Sequence, residues 1–317
     1  MKNADKILIC LIFLLIHSAC ERDADFRGKE LAPKMAINSV VCATAETHTL
    51  KLSESVFVFG QQKPQPIEDA ELILKINGIE TPLIFVEQPQ DNPRGEAIQE
   101  HGRYYSFTSS LKAGDKLEIS GNSLKHGAVN GIDYIPDSVE IADVKTEWFV
   151  GKTDDRDYLR TLITIKDKPH EKNYYRIVIR GASIYEEIDQ PLIWSPYDVF
   201  IDQEILFNNI SGTIGSHESA SYMYRVFSDE LFNGEEYTLN VYVQNDRFNW
   251  WGLNETRFVK VEIHTLSQNL YMYLRSLELA MSEDNFSEPT KIYSNIEKGY
   301  GVLGTYNVAS MIKEIPK

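Results

Sequence analysis

Apolar and polar positions take three different spacings along this chain. Residues 7–16 form one unbroken apolar run. From about residue 34 the pattern becomes short β-branched and aromatic runs, apolar at alternate positions and punctuated by turn residues, as β-strands require. The clearest case is "AELILKINGIETPLIFVE" from Ala70, where Asn77 and Gly78 tolerate the positive φ of a type I′ turn and so join two strands as a hairpin. "THTLKL", "GRYYSF" and "GDKLEI" add strands, with Lys112, Ala113 and Gly114 turning the chain between the last two. After a loop holding Asn130, Gly131 and Pro136, "SVEIADVKTEWFV" opens a fresh series that continues through "YLRTLITIKD", "NYYRIVIRG", "YTLNVYVQ" and "RFVKVEIHT". One segment has helical spacing instead: Ser267 can cap it, and Leu270, Leu274, Leu277 and Met281 recur at steps of four, three and four. Its apolar stripe should pack on a sheet.

These patterns predict an all-β protein of two immunoglobulin-like β-sandwich domains with one α-helix near the C-terminus. Residues 34–135 form the first sandwich and 136–317 the second, which carries the helix at 267–282. The segment ahead of them reads as a signal peptide over 1–19 and an acidic linker over 20–33.

As a helix, the run at 7–16 rises about 15 Å, half of a ~30 Å hydrocarbon core, so it is too short to span. Lys2 and Lys6 precede it and the small residues Ser18 and Ala19 follow, the layout of a secretory signal. Small residues followed at once by cysteine resemble the lipobox of bacterial lipoproteins, in which the thiol is acylated. That makes Cys20 the lipidation site and the first mature residue, although His17 stands where leucine is usual and ordinary cleavage after Ala19 is the other reading. Two or three acyl chains, a palmitate among them, hold a protein at a membrane almost permanently. Glu21, Asp23 and Asp25 look like the acidic export signals that send some Bacteroidota lipoproteins to the outer face of the outer membrane; a solvated linker is the alternative.

Composition narrows the function. A chain of 317 residues, 43% hydrophobic, can bury a sizeable core. A net charge of −15 with no basic patch to offset it speaks against nucleic acid. Of three cysteines, Cys10 lies in the signal and Cys20 at the anchor, so Cys42 in "INSVVCAT" has no intramolecular partner and reads as an inert buried thiol.

Nucleophile-elbow, paired-histidine and calcium-loop motifs are missing, so no catalytic residue, metal ligand or cofactor is assigned. Ser216 and His217 are adjacent and point to opposite sides of an extended chain, His170 reads as a loop residue, and Asp154–Asp157 suit a solvated turn better than calcium. The richest stretch is "NDRFNWWGLNET". There Phe248, Trp250 and Trp251, with Arg247, Asp246 and Asn249 beside them, could stack and hydrogen-bond a sugar or peptide, or else cap the core. Trp194 and Tyr197 in "PLIWSPYD" are a second candidate. The triplet "DSV" at Asp137–Val139 resembles an O-glycosylation acceptor, which nominates Ser138.

Several segments in order carry a wider likeness: "CERDAD", "NYYRI", "FSDELFNGEEYTL", "LSQNLYMYLRSLE" and "FSEPTKIYSNIEKGYGVLGTY". By them the chain resembles the Bacteroidota lipoprotein family called domain of unknown function forty-two forty-nine, with Lys298 and Leu303 where glycine and phenylalanine are expected. The resemblance implies association with TonB-dependent uptake systems and transfers no catalytic residue. Independently of it, Gly299, Gly301 and Gly304 allow close backbone approach or positive φ where the chain closes a sheet. The expectation is a surface-exposed outer-membrane lipoprotein, a non-catalytic binding or accessory module of a TonB-dependent receptor with a glycan or peptide ligand. The alternatives are a surface glycan or peptide hydrolase and a structural or adhesive scaffold.

Overall fold

The computed structural model describes residues 32–56, 65–87, 102–150, 157–185, 194–196, 199–200, 225–244, 255–281 and 290–315. The strands are β1 (Met35–Cys42), β2 (Thr47–Glu54), β3 (Glu71–Ile76), β4 (Ile79–Thr81), β5 (Ile84–Val86), β6 (Arg103–Thr108), β7 (Lys116–Ser123), β8 (Gly127–Tyr134) and β9 (Glu140–Val150). They continue with β10 (Asp157–Lys166), β11 (Tyr174–Tyr185), β12 (Ser195–Pro196), β13 (Val199–Phe200), β14 (Val226–Ser228), β15 (Glu236–Gln244), β16 (Glu255–Leu266) and β17 (Tyr300–Glu314). Among the described residues there is one α-helix, α1 (Gln268–Met281). The fold is therefore all-β and sandwich-like, as the alternation predicts. No described helix is long and apolar enough to cross a membrane.

A nine-stranded sheet runs in the order β12-β11-β16-β17-β1-β2-β6-β5, with β14 paired to β11, and two four-stranded sheets accompany it, β13-β15-β10-β9 and β4-β3-β7-β8. One core contains Ile177, Ile179, Val261 and Ile263 of the large sheet with Leu159, Ile163, Leu239 and Val241 of the first small sheet. The other contains Met35, Ile37, Leu50 and Leu52 with Leu74, Leu117, Ile119 and Val129 of the second. Strict alternation explains both, because a half-buried strand presents every second side chain to one layer.

β17 serves both cores. Its first half pairs in parallel with β1, from Ala36↔Tyr300 to Cys42↔Tyr306. Its second half pairs antiparallel with β16, from Leu266↔Tyr306 to Phe258↔Glu314. Leu303 and Ile296 consequently lie in the core built by residues 35–135. The closeness of β1 and β17 demands glycine at 301: its φ is +96°, and a Cβ there would lie 2.1 Å from the Ile37 carbonyl oxygen.

Local signals behave as their chemistry predicts. Asn77 and Gly78 take φ of 52° and 81° between β3 and β4, the two-residue hairpin expected. The Ser267 hydroxyl accepts from the Leu270 N–H at 3.1 Å, capping α1. The helix lies on the sheet with Leu270 against Gly304, and Leu270, Tyr271 and Leu274 form a third cluster with Val226 and Leu266.

Candidate functional site

β16 contains "VKVEIH", and its alternation separates two environments. Val259, Val261 and Ile263 have no exposure in the core, which leaves Lys260, Glu262 and His264 on the outer face of the large sheet. β11 repeats the pattern, with Tyr175, Ile177 and Ile179 inward and Arg176 and Arg180 outward. Register brings the polar faces together: Arg180 stands opposite Lys260 and Arg176 opposite His264.

Glu262 is the centre of this group. Arg180 Nε donates to its Oε2 at 3.2 Å, Lys260 Nζ is 2.8 Å from Oε1, and His264 Nε2 is 3.6 Å from Oε2. The Glu262 side chain is only 10% exposed. His264, then Lys260 and Arg180, together outweigh burial and hold its carboxyl well below the usual carboxylate range. The His264 contact is long for a hydrogen bond, so the two cations are the firmer partners. Burial lowers the His264 imidazole, with Arg176 and Arg180 adding to the effect against the pull of Glu262, so the ring is neutral at pH 7. It stacks on Tyr306 with ring centroids 4.8 Å apart. Burial and the neighbouring Cys42 thiol raise the Tyr306 phenol.

Trp194 joins this face from the sheet edge. Gly181 pairs with Ser195, so Trp194 stands beside Ala182, on the same side as Arg180. Lys260 Nζ lies 6.0 Å from the centroid of its ring. Three cations, an indole and one saturated carboxylate thus share a surface of a protein whose net charge is −15. A carboxylate locked by cations is a poor proton acceptor, whereas donors and rings fixed in place suit recognition.

A second polar region is a cavity of about 340 Å³ lined by Asp137, Ser138, Glu140, Lys168, Asn173 and Thr265, among others. Asp167 in its wall and Asp229, which bonds Asn173 of that wall, hold the fold. Asp167 accepts from the Tyr175 hydroxyl and from the Gly234 N–H, and Asp229 accepts from the Asn173 N–H at 2.8 Å and Asn233 Nδ2 at 2.9 Å. These bonds tie "NYYRI" to the turn in "FSDELFNGEEY". Burial raises the carboxyl of Asp229 and the phenol of Tyr175. Ser138 is exposed at this cavity's wall.

The remaining candidates fare differently. Cys20, Tyr197, Arg247, Phe248, Trp250, Trp251, Ser216 and His217 lie outside the described residues. Cys42 is half-exposed, because β1 turns Val41 inward and Cys42 outward, which corrects the expectation of a buried thiol; its Sγ is 3.1 Å from Thr44 Oγ1. His170 occupies an exposed turn with φ of 69°. No group of three or more His, Cys, Asp or Glu able to hold a metal ion occurs among the described residues.

The "YSNIEKGYGVLG" segment is architectural. Asn295 Oδ1 accepts from the Leu303 N–H at 3.0 Å, while its Nδ2 donates to the Leu303 carbonyl at 2.8 Å and to that of Ile132 at 3.2 Å. The side chain thereby stands in for a neighbouring strand beside β17. Ile296 enters the core against Gly131, where a Cβ would lie 2.6 Å from its Cδ1.

A family model described as a domain of unknown function, DUF4249, matches residues 21–312. No curated protein matches the chain. The matched segment covers nearly the whole chain, which belongs to that family.

Proposed function

We propose that this DUF4249 member is a lipid-anchored, non-catalytic binding module at the surface of the outer membrane, acting beside a TonB-dependent transporter in nutrient uptake. The anchor is Cys20 behind its apolar run, and Glu21, Asp23 and Asp25 direct the protein outward. The observation that carries the binding role is the outer sheet face. There Glu262 fixes Arg180 and Lys260 beside Trp194, and burial keeps His264 neutral. Such a surface offers pre-positioned donors and a ring, and its carboxylate is held by cations and so is a poor proton acceptor. A partner in the same membrane would take ligand from it without the chemistry of a hydrolase.

Crosslinking in intact cells, followed by identification of co-purified outer-membrane proteins, tests the reading. The expected result is enrichment of a TonB-dependent transporter, lost together with membrane retention in Cys20→Ala. Membrane retention of Cys20→Ala without acyl label removes the anchor, and a wild-type chain that captures no transporter removes the accessory role.

A further inference from the structure

We infer that the Trp194–Lys260–Arg180 face binds an acidic sugar, a pyranose carrying a ring carboxylate, as in a uronate-containing glycan. The inference rests on the binding role proposed above and assigns its ligand class. Donor accounting is the first argument. A guanidinium has five N–H donors; Arg180 donates to Glu262 through Nε, which leaves the outer fork of its Nη groups for another acceptor. That fork matches the two oxygens of a carboxylate. Lys260 has three donors and meets Glu262 at Oε1, so it too retains capacity. Both side chains reach solvent, at 35% and 26% exposure, while Glu262 behind them is at 10%. The carboxylate is therefore a buried brace and the cations are the accessible groups.

The indole supplies the second argument. Trp194 is half-buried on the same side of the sheet as Arg180, and Lys260 Nζ sits over its ring, 6.0 Å from the centroid, so indole and ammonium adjoin on one surface. A pyranose set against the exposed part of the indole, beside the ammonium, presents an apolar C–H edge to the ring and its exocyclic carboxylate to Lys260. An acidic peptide satisfies the cations equally, but a flexible chain gains less from a single flat ring beside them.

The probe is a short oligogalacturonide, titrated by calorimetry into the full chain in mild detergent. Its carboxyl-reduced counterpart and tetraglutamate are the comparison ligands. Binding of the uronide should weaken about tenfold or more on carboxyl reduction, the scale of one lost charge-assisted contact, and should fall with rising salt. Lys260→Gln and Trp194→Ala should each weaken it several-fold while the protein still folds cooperatively, with at most a modest fall in melting temperature from the loss of a Glu262 partner in Lys260→Gln. Arg180→Gln should do the same, and Lys260→Gln decides the matter if Arg180→Gln does not fold. Equal affinity for the reduced sugar overturns the inference. So does preference for tetraglutamate, the absence of binding at millimolar uronide, or indifference of a folded Lys260→Gln protein. Continued crosslinking to a transporter in any of those cases leaves the accessory role standing while its ligand class falls; loss of both removes both.

Discussion

Replacing Asn295 with Ala removes a side chain that substitutes for a strand, and the cost can be apportioned bond by bond. The Ile132 carbonyl keeps a donor, because Asn269 Nδ2 also reaches it at 3.2 Å, so that loss is small. The Leu303 N–H and carbonyl are different: Leu303 has no exposure, and the structure gives its N–H Asn295 Oδ1 and its carbonyl Asn295 Nδ2 on that side of β17. Each buried backbone group left unpaired costs about 1–3 kcal/mol. Asn295 is itself half-buried, so water can enter behind a truncated side chain and the sum should fall at about 2–4 kcal/mol. Asn295→Asp sharpens the test. The carboxylate still accepts from the Leu303 N–H but turns a charged oxygen toward the Leu303 carbonyl, which raises its folded-state pKa. Its penalty should therefore be complete at pH 7 and shrink as pH falls toward the unfolded value, where the neutral acid can donate. Urea denaturation followed by fluorescence and circular dichroism measures both variants. A loss under about 0.5 kcal/mol for Asn295→Ala with an unchanged m-value would refute the strand-surrogate role.

Three further outcomes follow from the same structure. Gly301→Ala should fail to accumulate as folded protein, because its Cβ meets the Ile37 carbonyl oxygen at 2.1 Å with φ at +96°, whereas Gly114→Ala, with φ of +85° and open space around it, should cost about 1 kcal/mol; comparable soluble yields for the two would contradict this. Glu262→Gln should cost about 1 kcal/mol at pH 7, and its gap from wild type should close as pH falls below 4.5, since a carboxyl held low in the folded state contributes stability only while ionised; a pH-independent gap in urea midpoints would sink the ion-network account. Burial raises the Asp133 carboxyl, against the hydrogen bond that Asn269 Nδ2 donates to its Oδ1 at 2.9 Å, so its contribution is present below 3.8 and declines as pH rises through the folded pKa; Asp133→Asn should thus gain relative to wild type between pH 4 and 7, and a constant difference across that range would show the carboxyl titrating normally.

Strand-level structure was legible because it is written locally. Alternation in "RFVKVEIHT" shows which residues face one layer, Asn77-Gly78 specifies its own turn, and Ser267 followed by Leu270 and Leu274 announces a capped amphipathic helix. Periodicity assigns a face but never a partner. The parallel pairing of β1 with β17 joins opposite ends of the chain, and nothing in "MAINSVVC" names "YGVLGTY" as its neighbour. The glycines were the exception, since three in "GYGVLG" signal close approach without saying to what; at Gly301 the neighbour is the Ile37 carbonyl and at Gly304 it is Leu270 of the helix.

The outer face shows the same limit applied to chemistry. Lys260, Glu262 and His264 recur at every second position, so the sequence already placed three titratable groups on one side of one strand, and a solvated face is the ordinary reading of such a row. What converts the row into a candidate site is Arg180, brought opposite Lys260 by a register that local sequence does not encode, and Trp194, which reaches the face only because a two-residue strand pairs at the sheet edge. Glu262 then makes the difference between a patch and a site. An exposed arginine and lysine side by side repel and sample many rotamers, but a shared carboxylate at 10% exposure holds both and neutralises part of their repulsion. The rotamer freedom that Arg180 and Lys260 would otherwise lose on binding is in that way already spent in folding, and affinity for an anionic partner should depend on Glu262 even though it repels one. Glu262→Gln should accordingly weaken uronide binding despite adding net positive charge, the opposite of what simple charge counting predicts.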